Sequence, residues 1–318
     1  MSPRFRSGMT LLLASTIWLP RAASAAEPAR AVGPTELASA GFTVSAERRW
    51  GEVKSFAYLL QNVEPEKLAA FNCDLAIVDH SSDGSVAGIF TTRQVQRMQR
   101  GGRPKLLLAY MSIGEAEPYR FYWQKGWQPG RPAWLERPNP DWPDNFRVRF
   151  WDPGWQTVLL GDPASYLDRI IDAGFDGVYL DIVDGYETYE ASRPQARREM
   201  VDLVKAIATH ARRRRPGFGV FPQNALDLVG EPGYLECITG VGKESTWFTW
   251  GDAARPAEET LWEEALMKRV VAAGKPVLAT DYCLRPDNVA RVKARARQLG
   301  VLSYCTSKAL DRLVPQGP

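Results

Sequence analysis

Residues 174–187 read Gly174-Phe175-Asp176-Gly177-Val178-Tyr179-Leu180-Asp181-Ile182-Val183-Asp184-Gly185-Tyr186-Glu187. The run from Gly177 to Leu180 is apolar without alternation, as a strand covered on both faces must be. It closes on a carboxylate, Asp181, and a second, Asp184, follows three residues on. Parallel α/β barrels deliver acids to their active face in this way, at the C-terminal ends of short buried strands.

Working outward, seven further apolar runs bounded by turn signals occur, at Ser55–Leu60, Leu75–Asp79, Lys105–Met111, Gly219–Gln223, Ile238–Gly242, Pro276–Asp281 and Val301–Cys305. Between them lies helical spacing. Met200, Leu203, Val204 and Ile207 share one helix face, as do Val289, Val292, Ala296 and Leu299; Trp262, Ala265 and Leu266 mark another. Gly101-Gly102, Pro216-Gly217, Gly274 and Gly300 supply helix stops. No GxGxxG follows the first strand, which argues against a doubly wound dinucleotide fold. Eight strand–helix repeats predict a (β/α)8 TIM barrel, with a long Trp-rich loop after strand 3 running from Met111 to about Pro153. That loop and its exit hold Trp123, Trp127, Trp134, Trp142, Trp151 and Trp155, out of 11 tryptophans in the chain. A long aromatic loop at the active face is expected either to bind ligand or to pack as a cover over the barrel mouth.

The first 25 residues read as a signal peptide: Arg4 and Arg6, then an apolar stretch from Met9 to Leu19, then Ala23-Ser24-Ala25 as a cleavage site. That stretch is short for a membrane span, so no stable membrane insertion is expected after cleavage. Residues 26–50 are a lead or linker, residues 51–313 the barrel domain, and the mature protein is expected to be exported, periplasmic or secreted. Export permits disulfides among the 4 cysteines, and Cys283 and Cys305 fall near the ends of successive strands as possible neighbours. With 2 His and no CxxC, neither a metal site nor a cofactor is expected. His80 reads equally as a site residue or a structural one, and His210 as a surface residue. The net charge of +3 gives no bulk attraction to nucleic acid. Arg212 to Arg215 sit where a helix C-terminus attracts cations, so nucleic acid is not an expected partner.

Polar and acidic residues gather at the strand ends: Asp79 after strand 2; Tyr110, Glu115 and Glu117 after strand 3; Asp181 and Asp184 after strand 4; Gln223 and Asn224 after strand 5; Lys243 and Glu244 after strand 6; Asp281 after strand 7. Crowding like charges on one face is costly unless their raised proton affinity is used. Two carboxyl groups without His suit glycoside hydrolysis, and flat aromatics suit the C–H faces of sugars. Tyr58, Tyr110, Gln223 and Asn224 are candidate hydroxyl binders, and Trp151 and Asp152 candidate contacts from the loop.

Tyr110-Met111-Ser112-Ile113-Gly114-Glu115-Ala116-Glu117, Phe150-Trp151-Asp152-Pro153-Gly154-Trp155, Gly174 to Gly185 and Gln223-Asn224 together resemble glycoside hydrolase family 114 over about residues 50–310. The resemblance implies a (β/α)8 fold, endo-α-1,4-polygalactosaminidase activity and a retaining mechanism. By motif it implies Asp181 as nucleophile and Glu244 as acid/base. On this reading Lys243 keeps Asp181 ionised, and Asp79, Glu115, Glu117, Asp152, Asp184 and Asp281 form a negative cleft for a cationic amino-sugar polysaccharide. The alternatives are a catalytically silent carbohydrate-binding TIM barrel and a glycosidase of another α-galactoside.

Overall fold

The computed structural model describes residues 50–316; the expected signal peptide and nearly all of the lead lie outside the described residues. Eight parallel strands alternate with helices. In chain order they are β1 (Phe56–Leu59), α1 (Pro65–Ala70), β2 (Leu75–Val78), α2 (Thr92–Arg100) and β3 (Leu106–Ser112). After the long loop come α3 (Pro153–Leu159), α4 (Tyr166–Ala173), β4 (Gly177–Asp181), α5 (Ala196–Arg214) and β5 (Gly219–Pro222). The last part is α6 (Tyr234–Cys237), β6 (Val241–Glu244), α7 (Ala257–Ala272), β7 (Val277–Asp281), α8 (Pro286–Leu299) and β8 (Leu302–Cys305).

The strands pair in sequence order, β1 to β5 in one ladder and β6 to β8 in a second. A parallel bridge between Gln223 and Gly242 continues the first ladder into the second. No ladder pairs β8 with β1 among the described residues. The two strands meet instead through the rings of Phe56 and Tyr304, 5.6 Å apart, and the segments that follow them are joined by the amides of Leu60 and Gln61, which donate to the carbonyl of Leu310. The architecture is the (β/α)8 fold that the eight apolar runs predict.

Seven strands fall within a residue or so of their predicted limits. The sixth is displaced, covering Val241–Glu244 rather than Ile238–Gly242. The reason is visible at Thr239, whose amide and hydroxyl are both engaged with Val220 at the start of β5, so the apolar residues before Gly240 serve as the approach to the strand. Glu244 is therefore the last residue of β6 itself.

The helix faces are as spaced, except on α7. Met200, Leu203, Val204 and Ile207 are buried on α5, and Val292, Ala296 and Leu299 on α8. On α7 the inward residues are Glu263, Glu264, Met267 and Val270, while Trp262 is exposed. Both buried acids are paired. Glu263 meets Arg255 at 2.9 Å and Lys243 at 3.3 Å, and Glu264 accepts from Trp247 Nε1 at 2.9 Å and Arg295 Nε at 2.6 Å. Paired charge can be buried where unpaired charge cannot, which is what turns the helix away from its hydrophobic reading.

Alternation along the strands sends every second side chain into the barrel. Tyr179 and Asp181 share that inner face on β4, as Phe221 and Gln223 do around β5 and Gly242 and Glu244 on β6. The Tyr179 ring crosses the interior to β6, and a Cβ on residue 242 would lie 2.0 Å from its phenol oxygen, so only glycine fits there. Lower down, Trp50 closes the opposite end, packed edge-on against Phe221 at 5.2 Å and over the bare Gly219. The basic run at the end of α5 is used at this end as well: Arg214 pairs with Asp168 and Asp172, and Arg215 with Asp176. His210 also contacts Asp168, at 2.8 Å.

The loop after β3 folds as a small unit of its own. Glu115–Ala116, Phe146–Val148 and Leu135–Pro138 form an antiparallel three-stranded sheet. Its tryptophans form a chain of ring contacts, Trp123 to Trp127 at 5.3 Å, Trp127 to Trp134 at 4.8 Å and Trp134 to Trp155 at 5.0 Å. Most of the aromatic loop is thus packed cover. No described helix is long and apolar enough to cross a membrane.

Candidate active site

The C-terminal ends of β4, β5, β6 and β7 bring Asp181, Gln223, Glu244 and Tyr282 together over the Tyr58 and Tyr179 rings, which meet at 5.3 Å in the barrel interior. Asp181 stands opposite Ser112 in the β3–β4 register, and its Oδ2 accepts the phenol hydrogen of Tyr110 at 2.6 Å. Burial is the largest influence on this carboxyl and pushes it up to about 6, with the Tyr110 hydrogen bond working against the shift and the charge of Asp184 adding to it.

Glu244 stands opposite Thr280 in the β6–β7 register. One carboxylate oxygen accepts from the amide of Gln223, the other from the phenol of Tyr282. Gln223 is itself oriented, its Oε1 accepting from Tyr58 at 3.1 Å. Asn224 completes the collar, its Oδ1 accepting the Glu244 amide at 3.2 Å. Burial, and then the negative charge of Asp181, raise Glu244 to about 7. Two carboxyls held at different proton affinities can act at one pH as a base or nucleophile and an acid.

The backbone turns sharply directly after these side chains. Ile182 follows Asp181 with φ of 55°, Asn224 and Ala225 follow Gln223 with 59° and 45°, and Ser245 follows Glu244 with 50°. Left-handed backbone is costly for most side chains, and for β-branched isoleucine above all. The chain accepts that conformation at three strand ends that carry the site.

The other expected site residues divide. Asp184 and Glu115 stay near the carboxyl pair. Burial and Glu187 raise Asp184 to about 6, and burial raises Glu115 to about 7. Glu115 Oε1 is held by Asn139 at 2.7 Å while its buried Oε2 has no hydrogen-bond partner.

Asp79 and Glu117 are not open to a ligand as free carboxylates: the buried guanidinium of Arg120 binds both, at 2.7 and 2.6 Å. His80 beside them is buried against Tyr166 and Phe121, a structural position. Asp281 is buried and accepts the amides of Trp247 and Phe248, each at 2.7 Å, so it anchors the loop after β6. Asp152 caps α3 through the Gly154 amide at 2.8 Å. Lys243 is on the outer side of β6 with Glu263, and the partner of Asp181 is Tyr110 instead. Trp151 sits at the rim under Arg193, 4.4 Å from its ring centroid, beside a cavity of about 290 Å³ lined also by Glu136, Arg149, Tyr189 and Ser192.

Tyr282 was not among the sequence candidates, nor was Arg120. Tyr282 had a signal, since it directly follows the last residue of β7 and a phenol there reaches the same mouth.

Comparison with known proteins agrees with this geometry. The model of glycoside-hydrolase family GH114 matches residues 39–316. An uncharacterized protein of Deinococcus radiodurans is 39% identical over 277 residues, covering 86% of this chain and 85% of that protein. One of Thermotoga maritima is 30% identical over 290 residues, covering 86% and 87%. Among solved structures, the glycoside hydrolase domain of PelA from Pseudomonas aeruginosa superposes with a TM-score of 0.61 at 20% identity, covering 82% of this chain and 97% of that one.

Proposed function

The chain belongs to glycoside-hydrolase family GH114, and from that premise we propose that it is an exported retaining endo-glycosidase of α-linked galactosamine-rich polysaccharide. The observation that carries the proposal is the pair Asp181 and Glu244, half-buried at the ends of β4 and β6 with proton affinities raised to about 6 and about 7.

Of the two, Asp181 is the group whose ionised form is favoured by the Tyr110 hydrogen bond, and Glu244 the group pushed towards its protonated form by burial and by the charge of Asp181. Glu244 donates its proton to the leaving glycosidic oxygen as Asp181 attacks the anomeric carbon. The C–O bond breaks, and a glycosyl ester forms on Asp181. Glu244, now a carboxylate, takes a proton from water, which attacks the same carbon and releases Asp181. The Tyr110 hydrogen bond favours the ionised nucleophile, and Gln223 and Tyr282 fix the rotamer of the acid. Asp184, Glu115 and the catalytic pair favour an amino sugar over a uronic acid, since the mouth carries negative potential when any of them ionises. The basic, apolar and small-residue segments of residues 1–25 support export.

Incubation of the mature protein with α-1,4-galactosamine polymer, its N-acetylated form, and neutral α-galactans tests the reading. Cleavage of the amino-sugar polymer with retained anomeric configuration is expected, and Glu244→Gln and Asp181→Asn should lower it by orders of magnitude. Cleavage of neutral galactans alone would remove the amino-sugar assignment. Inversion would remove the nucleophile role of Asp181. Glycan binding without turnover in any form would leave a silent binding barrel.

A further inference from the structure

Two exposed tryptophans at the barrel mouth face a single cation. Trp142, 53% exposed, lies in the turn between Asn139 and Asn145 of the loop after β3. Trp250, 37% exposed, lies at the tip of the hairpin after β6, between the short strands Phe248–Thr249 and Ala253–Ala254. The ammonium of Lys308, on the segment after β8, is 4.7 Å from the ring centroid of Trp142 and 3.7 Å from that of Trp250.

All three elements are tied to the catalytic floor. Asn139, at the base of the first turn, donates to Glu115. The hairpin receives the Tyr282 amide at the carbonyl of Phe248, 3.3 Å away, and Tyr282 is the residue that donates to Glu244. The Lys308 segment is held by the Thr306 amide on the carbonyl of Asp281 at 3.0 Å. Loops from β3, β6 and β8 therefore meet beside the mouth, away from the packed tryptophans of the cover.

An aromatic face attracts a cation through its quadrupole, and two faces around one ammonium make a cage for it. An exposed lysine ordinarily extends its ammonium into water; here the amine rests on two solvent-exposed rings. We infer that Trp142 and Trp250 form a subsite for the ammonium group of an amino-sugar unit, filled in the free enzyme by the side chain of Lys308. This inference rests on the amino-sugar reading of the substrate. An incoming sugar ammonium displaces Lys308 and takes both rings, while its C–H face stacks on one indole. A neutral sugar gains only the stacking and leaves the lysine in place. The lysine thus sets a threshold that only a competing cation repays, and it works as a selectivity filter.

The test is a calorimetric titration with galactosamine hydrochloride and with galactose at matched ionic strength, on wild type, Lys308→Ala, and Lys308→Ala combined with Trp142→Ala and Trp250→Ala. Lys308→Ala is expected to bind galactosamine about two- to five-fold more tightly than wild type, the size of an exposed cation–π contact. Galactose affinity should not change, and the triple variant should lose the gain. Unchanged or weaker galactosamine binding in Lys308→Ala overturns the inference, as does a gain that survives removal of both tryptophans. All three side chains lie at the surface, so folding is checked by melting temperature alone. A gain in binding without polymer cleavage by wild type would sink the substrate reading and keep the cage; cleavage without the gain would do the reverse.

Discussion

Tyr282 hydrogen-bonds Glu244 through its phenol, from the residue immediately after β7 to the last residue of β6. The contact favours the ionised form of a carboxyl that burial and Asp181 push the other way. Tyr282→Phe should therefore raise the proton affinity of Glu244. In a pH–rate profile on an amino-sugar polymer, the alkaline limb is expected to move upward from about 7, with kcat lowered as the acid loses its orientation. A limb that stays in place would show that Glu244 is not the group titrating there.

On the proposed mechanism the acidic limb reports Asp181. Tyr110→Phe removes the hydrogen bond that lowers its proton affinity, so that limb should move up from about 6 and narrow the bell. Removing the carboxyls themselves is more severe: Glu244→Gln should lower kcat by roughly 10²–10⁴-fold, the usual worth of general acid–base catalysis. Azide added to an alanine variant at position 181 should restore turnover with inverted configuration, which the product anomer reports directly.

Between pH 5 and pH 8 the raised carboxyls should make stability fall as pH rises. Asp181, Asp184 and Asp281 are raised to about 6 and Glu244 and Glu115 to about 7. Between the unfolded values and these, the folded chain holds protons that the unfolded chain has released, so the contribution of these five groups is full below the unfolded values and is lost as pH rises through 6 to 7. The melting temperature should be higher at pH 5 than at pH 8. Glu244→Gln should raise it at pH 8 and change it little at pH 5; an equal effect at both would contradict the linkage.

Arg120 is paired with both Asp79 and Glu117 in the interior. Arg120→Ala leaves two buried carboxylates without a cation, which typically costs about 3–5 kcal/mol. Urea denaturation should show that loss, and Asp79→Asn with Glu117→Gln in the same chain should recover part of it.

Cys283 and Cys305 are free and buried with their sulfurs 3.5 Å apart. A disulfide donor such as oxidised glutathione should join them, each thiol giving up one hydrogen and the donor being reduced to two thiols. Intact mass should fall by two hydrogens, and the reaction should vanish in Cys283→Ser. Closing a loop of this length is worth about 3 kcal/mol in the chain-entropy account, so the oxidised form should melt higher.

What could be read from the chain was whatever depends on short-range pattern. Continuous apolar runs announced all eight strands, because a strand buried on both faces has no room for polar alternation. Asp181 and Glu244 stood out as acids at the ends of such runs. Pairing between distant residues was not legible. Glu263 and Glu264 point inward on α7 because Lys243, Arg255, Trp247 and Arg295 receive them, and no spacing rule reveals partners that far apart. Asp79 and Glu117 look like site acids until Arg120 is seen between them. The tryptophans of the long loop could be counted but not sorted, since the same residue type builds both the packed cover and the exposed rings.

The three left-handed strand ends have a bearing on how the enzyme could be improved. Ile182, Ala225 and Ser245 are held in a backbone conformation their side chains disfavour, directly after Asp181, Asn224 and Glu244. Each is a place where thermal robustness has been given up to aim a side chain at the mouth. An engineer looking for a hardier catalyst would be drawn to replace them with glycine or asparagine, and would be loosening the hinges on which the working groups are mounted.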